Sequence, residues 1–261
     1  MELSHTLPVT SAVFDDPNLV SAAGLVPLVR LATDAGLTSL AERHLSVPGD
    51  KGANPGRKVM SLVAGMVAGG DSIDDMALLR HGGMGKVFDQ PYAPSTLGSF
   101  LRAFTFGHVQ QLDAVAARLL AGLGAATPLL AEAEQLAYLE IDDTVKRTYG
   151  YAKQGAGYGY SGAKGLNALL ATVSTPLVAP AIAGCRLRKG ATNSTRCAHR
   201  LLADALVTAK AAGARGLLIV RADSAFYNHD VLADGDPARR AVGGDRPTEP
   251  QRPQDDRADP R

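Results

Sequence analysis

The chain has 261 residues, 46% of them hydrophobic and 20% charged, so it can bury one or two cores and lacks the composition of a disordered polypeptide. Its formal net charge is +1, from 27 Lys and Arg against 26 Asp and Glu, so any surface for nucleic acid has to be a local patch. Only Cys185 and Cys197 are present, which excludes a disulfide framework or a thiolate zinc site and fits a reducing cytoplasm; no signal-peptide pattern opens the chain, and no apolar run reaches the roughly 18 residues of a membrane span.

From residue 21 to 44, Leu25, Val29, Leu31, Leu37, Leu40 and Ala41 recur at three- and four-residue steps, which predicts a one-sided helix or a helix pair broken at Gly36. A Gly/Pro-rich break precedes a second helical run over 57–68, which stops at Gly69-Gly70, and Asp71-Ser72 are placed to cap a third helix through Arg80. Pro94-Ser95-Thr96 read as the cap of a further helix whose stripe runs from Leu97 to Leu119. Residues 1–130 are therefore expected to be all helix, either a plain bundle or a helix-turn-helix DNA reader.

The pattern changes at Gln135. Ala137 to Ile141 read as a strand ending in Asp142-Asp143, and 166–175 and 177–188 as two more, the first half of 166–175 suiting a helix equally well. Residues 194–213 read as a helix opened by Ser194-Thr195 and closed by Gly213. Gly216 to Val220 form a short apolar run of the kind covered on both faces, and it delivers Asp223. The order strand, strand, strand, helix, strand over 135–232 predicts a mixed sheet with a crossover helix, the opening order of a ribonuclease-H-like core. Residues 234–261 hold six Arg, seven Asp or Glu and five Pro, with no Leu, Ile, Phe, Met or Tyr, so the segment from 233 on is expected to be a disordered tail.

Asp142 and Asp223 close separate apolar runs, and adjacent parallel strands would bring them within reach of a shared Mg²⁺ or Mn²⁺, the oxygen-ligand chemistry of phosphodiester displacement. Strand-end aspartates also make turns or cap helices, and that reading stays open. Lys146, Arg147, Lys153 and Lys164, interleaved with Tyr149, Tyr151, Tyr158 and Tyr160, suit phosphate contact and base stacking, and Arg186, Arg188 and Lys189 could track a DNA backbone; solvated loops and faces are the alternative for both groups. Gly157 to Gly162 match G-x-G-x-x-G but lie too far from a strand for a dinucleotide fingerprint, so a hairpin connection is expected there.

The segments IDDTVKRTYGYAKQGAGYGYSGAKGLNALLATVSTP and LIVRADSAFY resemble the catalytic-core motifs of insertion-sequence DDE transposases, in the bacterial group numbered thirteen-eighty. SIDDMALLR and PSTLGSFLRAFTFGHVQQLD resemble that group's N-terminal helical region, so the resemblance covers roughly residues 21–227. It implies an α+β protein with a helical DNA-binding region followed by a ribonuclease-H-like core, and it makes Asp142 and Asp223 the first two of three catalytic, metal-holding carboxylates. It also implies Mg²⁺ or Mn²⁺ as cofactor, terminal inverted repeats and target DNA as partners, and a homodimer or larger assembly on DNA in the cytoplasmic nucleoid. The family's third carboxylate is a glutamate on a later helix. Here the only glutamate after Asp223 is Glu249, in a proline-rich setting that opposes a helix. The expectation is therefore an incomplete core with a frameshifted tail, not competent for catalysis by itself, or a DNA-binding fragment that occupies element ends.

Overall fold

The computed structural model describes residues 16–149, 153–159 and 162–226. The tail from residue 233, Glu249, Tyr151 and Tyr160 lie outside the described residues. Five helices come first: α1 (Leu25–Asp34), α2 (Leu37–His44), α3 (Pro55–Val67), α4 (Pro94–Arg102) and α5 (Phe106–Ala126). The break between α1 and α2 falls at Gly36, whose φ of +90° is accessible to glycine at little cost. Leu37, Ala41, Val59, Phe100 and Val115 make the core of this bundle. Lys58 is buried inside it, its ammonium donating to the Lys51 carbonyl at 2.7 Å and lying 5.2 Å from the Phe100 ring centre. Carbonyl and ring together offset the desolvation of that charge.

Two expectations for the helices change in detail. The third helix expected through Arg80 is present as a 3₁₀ helix, Asp74–Arg80, preceded by a tight turn in which Ser72 N and Oγ donate to Asp75 Oδ2 at 2.9 and 2.7 Å. The stripe from Leu97 to Leu119 is two helices, with Pro94 as the first residue of α4 and Ala93 its cap. The chain re-enters helix at Thr105, where a reciprocal box with His108 satisfies the end of α5, including a 2.9 Å bond from Thr105 N to His108 Nδ1.

The second half is a mixed sheet of β1 (Leu136–Arg147), β2 (Gly157–Tyr158), β3 (Lys164–Thr175), β4 (Val178–Lys189) and β5 (Leu217–Ala222), with α6 (Ala198–Ala211) between β4 and β5. The long strands run in the order β4-β3-β1-β5, and β2 adds two residues beside the start of β3. β1 is antiparallel to β3 and parallel to β5. This is the expected α+β arrangement and element order, with the two-residue β2 as an addition.

Strand alternation divides the sheet into two faces. Ala137, Leu139 and Ile141 of β1 and Leu169, Ala171 and Val173 of β3 are buried in one cluster with Leu201, Leu202, Ala205 and Ala209 of α6 and with Phe226. The opposite face has no element packed over it among the described residues, and Ile182, Leu187 and Leu217 are each more than 60% exposed there or at its margin.

Three boundaries depart from expectation. β1 does not stop at Asp142-Asp143, because Thr144 and Val145 continue the ladder with β3 to Arg147↔Gly165. β5 is covered on one face only: Leu218 and Val220 pack on the core while Leu217 and Ile219 are exposed. α6 starts at Ala198 rather than at Ser194-Thr195, because Asn193 Oδ1 accepts from Thr195 N and Oγ1 at 3.0 and 3.1 Å and holds the preceding residues in turns.

Candidate functional site

The parallel ladder between β1 and β5 runs from Leu136↔Leu217 to Ile141↔Ala222. Carried one residue further, that register sets Asp142 beside Asp223. Both are exposed, and alternation puts them on the uncovered face, Asp142 in line with Tyr138 and Glu140, Asp223 in line with Ile219 and Arg221. One oxygen of each is engaged locally: Asp142 Oδ1 accepts from Asp143 N at 2.7 Å, and Asp223 Oδ1 accepts from Ala225 N at 2.9 Å, opening the 3₁₀ turn Ser224–Phe226. The second oxygen of each has no hydrogen bond, and neither aspartate is in an ion pair among the described residues.

The next row of the same face is balanced. Arg221 Nη1 donates to Glu140 Oε1 at 3.1 Å, and the guanidinium sits 3.5 Å from the Tyr138 ring centre. Among the described residues, charge is thus neutralised one step away from the aspartate pair and left unpaired at it. The sequence reading missed Glu140 and Arg221; the signal was available, since each lies two residues before an aspartate on its strand.

Asp143 has a different setting. It points to the covered face, where Asn167 Nδ2 and Arg188 Nη2 donate to its Oδ2 at 2.8 and 2.9 Å. Arg188 Nε also donates to Asn167 Oδ1 at 2.9 Å, and Nη1 donates to the carbonyls of Ser194 and Arg196 at 3.0 and 2.7 Å. The Arg188 side chain is 8% exposed and that of Asp143 20%. Burial pulls the Arg188 guanidinium below its ordinary range, and Asp143 opposes that pull. The network ties β1, β3 and β4 to the turns that precede α6.

The basic residues singled out in the sequence separate accordingly. Lys146 and Lys189 are exposed and share one row across the sheet through Leu166, on the face of Asp142, and Lys164 follows the same alternation from half-buried surroundings. Lys146 lies four residues along β1 from Asp142, roughly 13 Å at the rise of a strand. Arg147, in the last pair of the β1–β3 ladder, and Lys153, past it, are exposed. Arg186 is on the covered side, paired with Asp204 of α6 at 2.6 Å, and Arg188 is spent in the network above. Neither of these two arginines shares a face with the aspartate pair.

Chemically, two carboxylates with a free oxygen each, fixed on adjacent strands, fit a hard divalent cation such as Mg²⁺ or Mn²⁺. A cation there would have two protein ligands, since among the described residues no group of three or more His, Cys, Asp or Glu is placed to hold a metal ion. No helix of the described residues is long and apolar enough to cross a membrane. No protein-family model matches the chain, and no curated protein and no solved structure does so either.

Proposed function

We propose that the chain is a DNA transposase of the DDE type, with Asp142 and Asp223 as two of its metal-holding carboxylates. The observation that carries this reading is their register: adjacent parallel strands, one face, side by side, uncompensated. The strand order β4-β3-β1-β5, with a crossover helix before a parallel β5, supports a ribonuclease-H-like assignment for the sheet half. The short helices before it suit recognition of terminal inverted repeats, with pairing of two ends calling for at least a homodimer on DNA at the nucleoid.

Bound at this pair, Mg²⁺ or Mn²⁺ would supply Lewis-acid stabilisation of the oxygens of an in-line displacement at phosphorus. The protein's own part is positioning. Asp142 and Asp223 orient their outward oxygens from rigid strands, while Lys146, Lys164 and Lys189 on the same face draw the phosphate backbone toward them. The described residues supply two carboxylates of the three that the resemblance implies.

Incubation of the 261-residue chain with DNA carrying candidate inverted repeats, with and without Mn²⁺, tests the reading. Metal-dependent cleavage lost in Asp142→Ala and in Asp223→Ala is the supporting result. Tight binding without cleavage assigns the chain to the second reading, a fragment that occupies element ends and competes with an active enzyme. Absence of any DNA binding overturns both.

A further inference from the structure

A hollow of about 380 Å³ lies between α5, β4 and α6, where the helical half meets the sheet, and β3 separates it from β1 and the aspartate pair. Pockets for small molecules favour such junctions; they span roughly 300–1,000 Å³ and are apolar in most of their lining, with a few polar groups converging.

Local sequence explains why this one stays open. Asp113, Ala114 and Ala117 follow Gln110 on α5 at three- and four-residue steps and share one face, on which the alanines leave room that larger side chains would take. On β4 the register shifts at Ala183, and the residue after it is Gly184, where a Cβ would lie 2.8 Å from Leu201 Cδ1 of α6. Beyond the hollow the two helices meet closely: a Cβ at Gly124 would lie 2.4 Å from the Ala212 carbonyl oxygen. Ala183, Leu201 and Thr208 are buried at the floor, while Ile182, Cys185 and Val207 are exposed at the mouth.

Two charged groups of the lining have unmet hydrogen-bonding capacity among the described residues. Arg186 donates from Nη2 to Asp204 at 2.6 Å, but its Nε is buried and has no acceptor, although buried N–H groups are ordinarily hydrogen-bonded. The half-buried Asp113 carboxyl accepts no hydrogen bond and joins no ion pair. Burial raises this carboxyl, Arg186 opposes the rise and Asp204 adds to it, so the three charges are neighbours. Thr208 is not available to either group, since its hydroxyl donates to the Asp204 carbonyl at 2.9 Å.

We infer that this hollow binds a small α-amino acid with an apolar side chain, its ammonium on the Asp113 carboxylate, its carboxylate on Arg186 Nε, and its side chain against Ala114, Ala117 and Leu201. An unmet acceptor on α5 and an unmet donor on β4 call for a ligand with both kinds of group at one end. A carboxylic acid alone would add a third anion to Asp113 and Asp204, and an amine alone would leave Arg186 Nε unanswered. Because α5 also places Val115 in the core of the helical bundle, a ligand held in this way ties the two halves of the molecule together.

Calorimetric titration of the full chain with leucine, valine and methionine tests this, with isoamylamine and isocaproate as the amine and the acid alone. At least one amino acid is expected to bind about ten- to hundredfold more tightly than either, the effect of one hydrogen bond to a charged group. It should also slow alkylation of Cys185 at the mouth by iodoacetamide, located by peptide mass spectrometry, and leave Cys197 unaffected. Ala114→Leu fills the hollow with a good helix former and should abolish binding; Asp113→Ala should weaken it about ten- to hundredfold. If the leucine variant loses its melting transition, Asp113→Ala decides. Isoamylamine or isocaproate binding as tightly as the amino acids overturns the assignment, because one end of the ligand then has no partner. So does binding that neither shields Cys185 nor responds to the substitutions, or no binding by any of the three amino acids at millimolar concentration. None of these results bears on the aspartate pair, so the proposed function stands or falls separately.

Discussion

Two adjacent residues of one type, Asp142 and Asp143, have opposite surroundings because a strand sends successive side chains to opposite faces. On the covered face, Asp143 is enclosed with Asn167 and Arg188, both of which donate to it, and the network fastens three strands to the entry of α6. On the uncovered face, Asp142 and Asp223 are in water with an oxygen each unused. Residue identity alone therefore does not distinguish a carboxylate tied into the fold from one left open. Face and partners do.

That contrast breaks first, and most, on the covered face. Arg188→Met leaves the Asp143 carboxylate enclosed without its cation and should destabilise the protein by about 3–5 kcal/mol, read as a shift in urea midpoint. Leu139→Ala, at a fully buried position of the same face, should cost about 2–5 kcal/mol for lost contacts and the residual cavity. If Arg188→Met unfolds at the wild-type midpoint, the network has no structural role and the division of the two faces fails.

The uncovered face should respond weakly. Glu140→Gln removes an ion pair whose partners are 39% and 50% exposed, so a loss of about 0.2–1 kcal/mol is expected, smaller still at high salt. Leu187→Ser should change stability by no more than about 0.5 kcal/mol, while reducing any self-association through the apolar sheet face, measured by light scattering. A loss of several kcal/mol at Leu187 would mean that this face is covered in solution.

The smallest effect sharpens a third location, where α5 meets the sheet. Burial raises the Asp113 carboxyl above its ordinary range, with Arg186 opposing and Asp204 adding to the rise. The sign follows from linkage: the unfolded chain releases this proton first, so the contribution of Asp113 to stability is full below about pH 3.9 and declines as pH rises through its folded value. Asp113→Asn should therefore flatten the pH dependence of the melting temperature in that window, relative to wild type. An unchanged profile would place Asp113 in ordinary solvent.

Much of this was legible from the chain alone. Apolar alternation gave the strand at 137–141 and the periodicity at 201–209 gave the crossover helix, because in these segments one face meets a core, whereas the first half of 166–175 suited a helix as well as the strand it forms. The aspartate pair was legible as two strand-associated carboxylates, since both follow apolar runs. What stayed hidden depended on pairing across the sheet. The extension of β1 to Arg147 is dictated by β3, the exposure of Ile219 by the absence of a neighbour over it among the described residues, and the burial of Arg188 by three carbonyls and an aspartate distant in sequence. Arg188 read as a DNA contact because a charge cluster in sequence carries no information about which face each member takes.

In the proposed site, Asp142 and Asp223, and not Asp143, hold a divalent cation. Titration of Mn²⁺ into the full chain, followed by the loss of its free electron-paramagnetic-resonance signal, tests it directly when repeated on Asp142→Asn, Asp223→Asn and Asp143→Asn. Binding is expected to fall at least tenfold in the first two and to be kept in the third, which instead melts at lower temperature. Binding that survives Asp142→Asn and Asp223→Asn, or that is lost only in Asp143→Asn, would contradict it.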